Sequence, residues 1–349
     1  MSDIHVSQCT KLTSTRETID ASRLSDIKSF YRSSFLLDGT TWHLELIGES
    51  HTRGRTPGCH ECKGDERCFD IREYISTTLR HVRTETHFLP EIPFIGRDGL
   101  GHVDDDGTVL GDFAHIPATN DDGLVFYHYT DFRFIGIMKG LEDLAIVDLE
   151  NIFPFSTEKR WNRSIDHVFD IFTNAHRSGG IMEVMGVDLA AAMNLYTRPQ
   201  DVTESVCGCR LIHKIEKAIS RLRDPYTSLM RSIIGAYREY YKSRRHVVLE
   251  ELSRSYTSTR QRVSMYYRRY FIADMLGSLV EIYTLARMFR DYDTKGSIKT
   301  GIIYMGRAHI EHLVHLVVPI LKEASDHFCT TVSFRETPEW CIDLVGPST

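Results

Sequence analysis

Two segments near opposite ends of the sequence share one pattern, which constrains the fold more than any other feature. Residues 46–51 (LIGESH) and 304–309 (YMGRAH) each consist of an apolar run, a glycine, two further residues and a histidine. Glycine lets a strand turn sharply because it has no Cβ, and a histidine three positions later would point back over the carboxyl end of that strand. If the two strands are neighbours in a parallel sheet, both imidazoles converge on one pocket. The pattern therefore predicts an α/β fold.

Composition supports an ordinary globular protein and excludes two other classes. The 349 residues include 42 Lys and Arg against 48 Asp and Glu, a net charge of −6, and 42% are hydrophobic. This balance argues against a disordered chain and against a protein that coats nucleic acid. No apolar run approaches the roughly 18 residues of a membrane span, and the first residues lack the apolar core of a signal peptide. We therefore expect an intracellular protein without a membrane span.

Hydrophobic periodicity divides the chain into three parts. Residues 1–140 form an N-terminal α/β half, 141–268 a helical insertion, and 269–349 a helix, strand and helix that complete the α/β core. The expected architecture is a mixed or parallel central sheet flanked by helices. The patterns predict one helix or two short ones over 14–37, further helices over 69–79, 267–292 and 308–324, and strands over 40–47, 87–94, 124–129, 301–305 and 330–334. The last of these is expected to be an edge strand.

Three of the eight cysteines crowd into one short segment, at Cys59, Cys62 and Cys68. Together with an adjacent histidine they could supply the four ligands of a tetrahedral zinc site. A zinc ribbon, however, normally brings a second pair of ligands from a distant hairpin, and Cys207 and Cys209 are spaced too closely for that. Free thiols or one local disulfide are the alternatives. We expect the three cysteines to lie near one another and to be dispensable for the pocket.

Four short motifs resemble a known superfamily. Residues 46–52 (LIGESHT), 129–133 (YTDFR), 283–287 (YTLAR) and 302–309 (IIYMGRAH) together resemble uncharacterised proteins of large DNA viruses. The two corners, with an acidic residue after an intervening strand, look like the superfamily that includes erythromycin esterases, the ChaN-like haem-binding proteins and the TIKI/TraB proteins. The resemblance covers the α/β ends and the last long helix, and it leaves the middle of the chain unmatched.

The resemblance implies one pocket lined by the two corners, a glutamate and an arginine. Carried over residue by residue, it names as candidate catalytic residues Glu49, His51, Glu91, Asp131, Arg133, Arg287 and His309. Glu49, His51 and His309 would also be the ligands of a divalent metal, if one is bound. Esterase members use a histidine to activate water, TIKI-type members look like metal-dependent peptidases, and ChaN-like members bind haem. The sequence departs from the family at Arg307, so this corner lacks an acidic residue that could bind a metal.

Each of these residues also has an ordinary structural explanation. Glu49 and His51 can face one site only from a turn, where they could instead be a hydrogen-bonded loop pair. Glu91, at a strand end between prolines, is either a site carboxylate or an exposed loop charge. Arg287 is either a guanidinium that stabilises an oxyanion or a surface arginine of an amphipathic helix. The two charged residues of the YTDFR motif share a face of an extended segment and form either an acid–base pair or a salt bridge.

Three functions are compatible with this sequence. The first is a hydrolase, esterase-like or peptidase-like, in which the two corner histidines and two glutamates activate water with or without a divalent metal; its substrate is a small molecule or a peptide. The second is a catalytically inactive viral structural or host-interaction protein that keeps the fold and resides in the host cytoplasm or the virion. The third is a metal-binding or haem-binding module. The first is the leading hypothesis.

Overall fold

The computed structural model describes residues 23–49, 67–92, 123–128, 224–247, 273–290, 297–337 and 341–344, with single residues or short stretches at 12, 21, 130, 158–159, 161–163, 165–166, 169, 222 and 250. In this part of the chain we number nine strands and five α-helices in chain order. The strands are β1 (Arg23–Ser25), β2 (Ser29–Leu37), β3 (Thr40–Glu49), β4 (Cys68–Asp70), β5 (Glu85–Pro90), β6 (Val125–Tyr127), β7 (Ile298–Gly306), β8 (His327–Glu336) and β9 (Cys341–Asp343). The helices are α1 (Ile71–Arg80), α2 (Asp224–Ser243), α3 (Ala273–Met288), α4 (Arg307–His312) and α5 (Val318–Ala324).

The main sheet has six strands in the order β6-β5-β7-β3-β2-β8. Its first four strands are parallel, whereas β2 runs antiparallel to both β3 and β8. A smaller sheet has the order β4-β1-β9. The structure therefore confirms a mixed α/β fold. Because β3, β7 and β5 are parallel neighbours, their carboxyl ends meet at one edge of the main sheet.

Most of the predicted elements of this sheet are confirmed. The alternating segment 40–47 is strand β3, the glycine-ended segment 301–305 is β7, and the predicted edge strand lies inside β8, which has the terminal place in the sheet order. The predicted final helix is continuous from Arg307 to Ala324, through α4, a π-helical turn at Leu313–Val317 and α5. These elements have a strong local pattern, with one apolar face and a clear end signal.

The prediction of a helix over 14–37 was wrong for its second half, which forms strand β2. The apolar residues there are spaced as on a helix, but Phe30, Tyr31 and Phe35 are all buried, on both faces of the strand. An interior strand that is covered on both faces loses the alternation of apolar and polar residues that identifies a half-exposed strand. The predicted end at Asp38 and Gly39 is confirmed as a tight turn, in which both residues have positive φ.

Helix α1 packs on one face of the main sheet. Its first turn is capped by Asp70, whose side chain accepts a hydrogen bond from the backbone N–H of Arg72 at 2.8 Å. A buried polar contact fixes the helix to the sheet: the Tyr74 hydroxyl donates to Glu45 at 2.9 Å, and Arg32 donates to the same hydroxyl at 2.7 Å. Arg32 also pairs with Glu45 at 3.2 Å, so the buried charge of each residue is neutralised by the other.

The chain divides into two compact units, Met1–Asp131 with Asp291–Thr349, and Phe132–Arg290. The second unit contains α2 and α3, which pack against each other. A buried Tyr237 donates a hydrogen bond from α2 to Glu281 of α3. Helix α3 therefore belongs with the helical middle of the chain, whereas the sequence pattern grouped it with the C-terminal part. None of the described helices is long and apolar enough to cross a membrane.

Candidate functional site

The two corners lie side by side because β3 and β7 are parallel neighbours. In their register Glu49 lies opposite Gly306, the last residues of the two strands. Strand β5 flanks β7 on its other side, and Pro90, its last residue, lies opposite Tyr304. The carboxyl ends of three strands thus bring Glu49, Glu91 and the start of α4 to the same edge of the sheet. His51 lies outside the described residues.

Gly48 has a different role from the one the pattern predicts. It is part of β3 and does not turn the chain, but a Cβ there would lie 2.0 Å from the Oγ of Ser29, 3.1 Å from the Cα of Arg307 and 3.3 Å from a side-chain carbon of Ile310. Glycine is therefore required for the close approach of β2 and of the start of α4. The same contacts show that Gly48 faces α4.

His309 and Glu91 form a buried pair at the start of α4. The Nε2 of His309 lies 3.1 Å from one carboxylate oxygen of Glu91, and the other oxygen accepts the backbone N–H of Gly306 at 2.7 Å. The backbone N–H of Glu91 donates to the carbonyl of Tyr304 at 2.8 Å, so main chain and side chain are both held by β7. Glu91 is 3% exposed and His309 9%. Glu91 is therefore a buried, oriented carboxylate rather than an exposed loop charge.

Glu49 approaches the edge from the opposite face of the sheet. Side chains alternate along a strand, so Glu49 points away from the face of Gly48 and α4. Its carboxylate accepts a hydrogen bond from the Tyr304 hydroxyl at 2.8 Å, and Tyr304 packs in the apolar core beneath α1. Burial, followed by the charge and hydrogen bond of Glu49, raises the pKa of Tyr304 well above its ordinary value. Tyr304 therefore keeps its proton at neutral pH and acts as a fixed donor to Glu49.

A pair of carboxyl groups, Asp26 and Asp70, lies at the start of α1. Burial and a hydrogen bond with Asp26 raise the pKa of Asp70 to about 6, although the backbone N–H of Arg72 opposes this shift. Asp26 lies close to Asp70 because its neighbour in the chain, Ser25, is paired with Asp70 across β1 and β4. The electrostatic influence of Asp70 reaches Tyr304. The pair of Asp26 and Asp70 and the pair of Glu49 and Tyr304 therefore both lie on the α1 side of the sheet.

Several predicted site residues cannot be assigned to this edge. Asp131 and Arg133, like His51, lie outside the described residues, as do Cys59 and Cys62. Arg287 is at the end of α3, in the second unit, and is half-buried. Its positive charge acts on Tyr283, one turn earlier, whose pKa is nevertheless raised overall by burial.

Cys68 is disulfide-bonded, as are Cys329 and Cys341. A disulfide sulfur is not a thiolate, so Cys68 cannot be a zinc ligand in this state. Arg307, the residue that departs from the family pattern, lies at the surface, where it pairs with Glu311 at 2.6 Å and also with Glu336 of β8. Its charge therefore points away from the buried pair, toward exposed carboxylates.

Two groups at this edge were not predicted, namely the hydroxyl of Tyr304 and the backbone N–H of Gly306. Both lie within the segment that carries the second corner. Tyr304 precedes Gly306 by two residues and so faces the same side of the sheet, the side of Glu49. Once β3 and β7 are paired with their glycine corners at one level, this alternation places Tyr304 beside Glu49. The alternation of side chains could have predicted this contact from the sequence, but only with knowledge of the register between the two strands.

Among the described residues, no group of three His, Cys, Asp or Glu side chains is arranged to hold a metal ion. Compared with known protein families, curated proteins and solved structures, the chain matches none.

Proposed function

We propose that the protein is a hydrolase in which His309, oriented by Glu91, acts as the general base that activates water. The observation that carries this proposal is the 3.1 Å contact between the two side chains at the carboxyl ends of parallel strands. Ligand sites in open α/β sheets lie at this position, outside the carboxyl ends of the strands. A histidine oriented by a buried carboxylate is the pair that hydrolytic enzymes use to remove a proton from a nucleophile.

The surroundings of Glu91 support a role in orienting the imidazole. One carboxylate oxygen is occupied by the Gly306 N–H, which leaves the other directed at His309. The Thr130 hydroxyl donates to the carbonyl of Pro90 at 2.7 Å, which fixes the backbone just before Glu91. A base that is held in this way needs no rearrangement when the reaction begins, and such preorganisation lowers the barrier.

We further propose that the substrate is a small ester or a peptide. Proton removal from water produces a hydroxide-like nucleophile, which attacks a carbonyl carbon and generates an oxyanion. Glu49, at the same edge but on the α1 side and held by the Tyr304 hydroxyl, is proposed to position the substrate. Asp131, Arg133 and His51 remain candidates for the same role, and a divalent metal is a candidate cofactor.

The test is a substrate panel for the purified full-length chain. p-Nitrophenyl esters of increasing acyl length and fluorogenic peptides are incubated with wild-type protein and with a His309→Gln variant, each with and without EDTA. We expect turnover of at least one substrate class by the wild-type protein and a loss of at least 100-fold in the variant. EDTA separates metal-dependent from metal-free chemistry. Turnover that is equal in the two proteins would overturn the proposal.

A further inference from the structure

A second buried polar cluster lies on the main sheet, and the proposed reaction does not use it. It consists of Glu85 and His87 of β5, His128 directly after β6, and Lys299 of β7. The Nε2 of His87 is 2.7 Å from Glu85, and the Nδ1 of His87 is 3.1 Å from the Nε2 of His128. Lys299 donates to the same oxygen of Glu85 at 2.9 Å. The four residues thus form one hydrogen-bonded chain.

This chain is enclosed in the protein. None of its four members exceeds 8% exposure, and His87 is completely buried. The ring of His87 stacks on Phe126 and lies beside Trp42, and the ammonium group of Lys299 lies 5.8 Å from the centre of the Trp42 ring. Buried ionisable groups are costly unless they are paired. With both histidines neutral, Lys299 and Glu85 balance each other.

The contact between His87 and His128, here called the histidine pair, limits how many protons the cluster can hold. A hydrogen bond between two ring nitrogens needs one proton between them, so the pair holds at most three ring protons. Two separated imidazolium rings hold four. Separation of the pair therefore takes up at least one proton wherever a free histidine is charged, which is below about pH 6.5.

The histidine pair joins β6 to the rest of the sheet. Strand β6 has three residues and, within the part of the chain that the structure describes, lies at the edge of the sheet beside β5. The backbone N–H of Thr86 donates to Leu124 and that of His128 donates to Phe88, each at 2.9 Å. Thr130 adds the side-chain bond to the carbonyl of Pro90. So short an edge strand is weakly held by its backbone bonds, and a side-chain contact can decide whether it stays on the sheet.

We propose that the histidine pair is an acid-sensitive contact that keeps β6 on the sheet at neutral pH and releases it below about pH 6. Uptake of one proton on release makes the opening equilibrium about tenfold more favourable for each pH unit below about 6.5. The release concerns the local structure of β6 and does not depend on whether the protein is a hydrolase.

Two charged groups face the pair: Lys299 repels a proton added to His87, whereas Glu85 attracts it. Lys299 and Glu85 flank His87, and a proton added to the pair leaves two cations around one buried carboxylate. Burial alone would raise the pKa of Glu85, but hydrogen bonds from His87 and Lys299 lower it overall below its usual value. A lowered carboxyl pKa contributes stability that is lost as the pH falls through the acid range, so protonation of Glu85 at still lower pH weakens its bonds to His87 and Lys299.

Hydrogen exchange measured by mass spectrometry tests this proposal. Protection factors of a peptide covering residues 123–130 are determined for the wild-type protein at pH 7.5, 6.5 and 5.5. Each is taken relative to the denatured chain at the same pH, which removes the intrinsic pH dependence of exchange. We expect protection to fall about tenfold between pH 6.5 and 5.5, while peptides from β2 and β3 keep theirs. Protection of β6 that stays within twofold over this range would overturn the proposal.

Two variants separate the histidine pair from other causes. A double variant, His87→Asn with His128→Asn, has no titrating ring at this position, so any remaining protection should no longer depend on pH between 7.5 and 5.5. Thr130→Val removes a bond that does not titrate and should lower protection equally at each pH while the pH slope persists. A slope that remained in the double variant would contradict the proposal. If that variant does not fold, the pH slope of the wild-type protein and of the Thr130→Val control still decide whether acid releases β6.

Discussion

The close approach at Gly48 predicts a large effect for a very small substitution, Gly48→Ala. The added methyl group would lie 2.0 Å from the Ser29 Oγ and 3.1 Å from the Cα of Arg307. Ser29 is completely buried and can yield only by a change of rotamer, whereas the Arg307 contact is to backbone and can yield only if α4 moves. Overpacking of this kind costs about 1–3 kcal/mol. We expect the free energy of unfolding to fall by that amount.

Urea unfolding followed by circular dichroism measures the change, and two further variants make the result specific. The Ser29 hydroxyl has no hydrogen-bond partner within the described part of the chain, so Ser29→Ala alone should cost little. In the double variant, Gly48→Ala with Ser29→Ala, removal of the Ser29 hydroxyl should restore about 1 kcal/mol or more of the free energy of unfolding that Gly48→Ala loses. Gly235→Ala is the control: nothing lies within 4 Å of its added Cβ on helix α2, and alanine should stabilise the helix by up to about 1 kcal/mol. A Gly48→Ala protein as stable as the wild type would refute this account of the corner.

Three further predictions follow from buried charges and from the disulfides. Glu45→Ala leaves the Arg32 charge buried without its carboxylate partner and should lower the free energy of unfolding in urea by about 3–5 kcal/mol. Because the pKa of Asp70 is raised to about 6, its ionisation opposes folding above that pH. Asp70→Asn should therefore raise the melting temperature at pH 7.5, and the gain should shrink toward pH 4, where the native side chain is protonated; an equal gain at both values would contradict the assignment. Thiol titration of the denatured, unreduced chain should find at most four free thiols among its eight cysteines, because Cys68, Cys329 and Cys341 are disulfide-bonded and bonded cysteines come in pairs.

The sequence predicted those parts of the fold that carry a strong local pattern. Strand β3 alternates apolar and polar residues and ends at a glycine, and β7 is an apolar run with the same kind of ending. Their shared pattern also predicted that the two corners belong to neighbouring parallel strands, which the register confirms. Strand β2 could not be identified in this way, because both of its faces are covered and its apolar residues mimic a helical spacing.

The candidate site was predictable only in part, since its contacts depend on register between distant strands. Glu91 and His309 were both named from the sequence, but their pairing requires β5 and β7 to be neighbours. The bond between Tyr304 and Glu49 and the histidine pair of β5 and β6 depend on the same kind of information. The requirement for glycine at position 48 comes from the packing of β2 and α4 against it, which no local pattern encodes.

A comparison of four proteins tests most directly whether His309, held by Glu91, is the base of a hydrolytic reaction. The kcat/KM of the best substrate from the panel is measured for wild type, His309→Gln, Glu91→Gln and a control, His315→Gln, in which an exposed histidine of the same continuous helix is replaced. We predict losses of about 10²–10⁴-fold for the two site variants, with unfolding curves close to that of the wild type and no loss for the control. Equal kcat/KM values for all four proteins, or no turnover of any ester or peptide by the wild type, would contradict the claim.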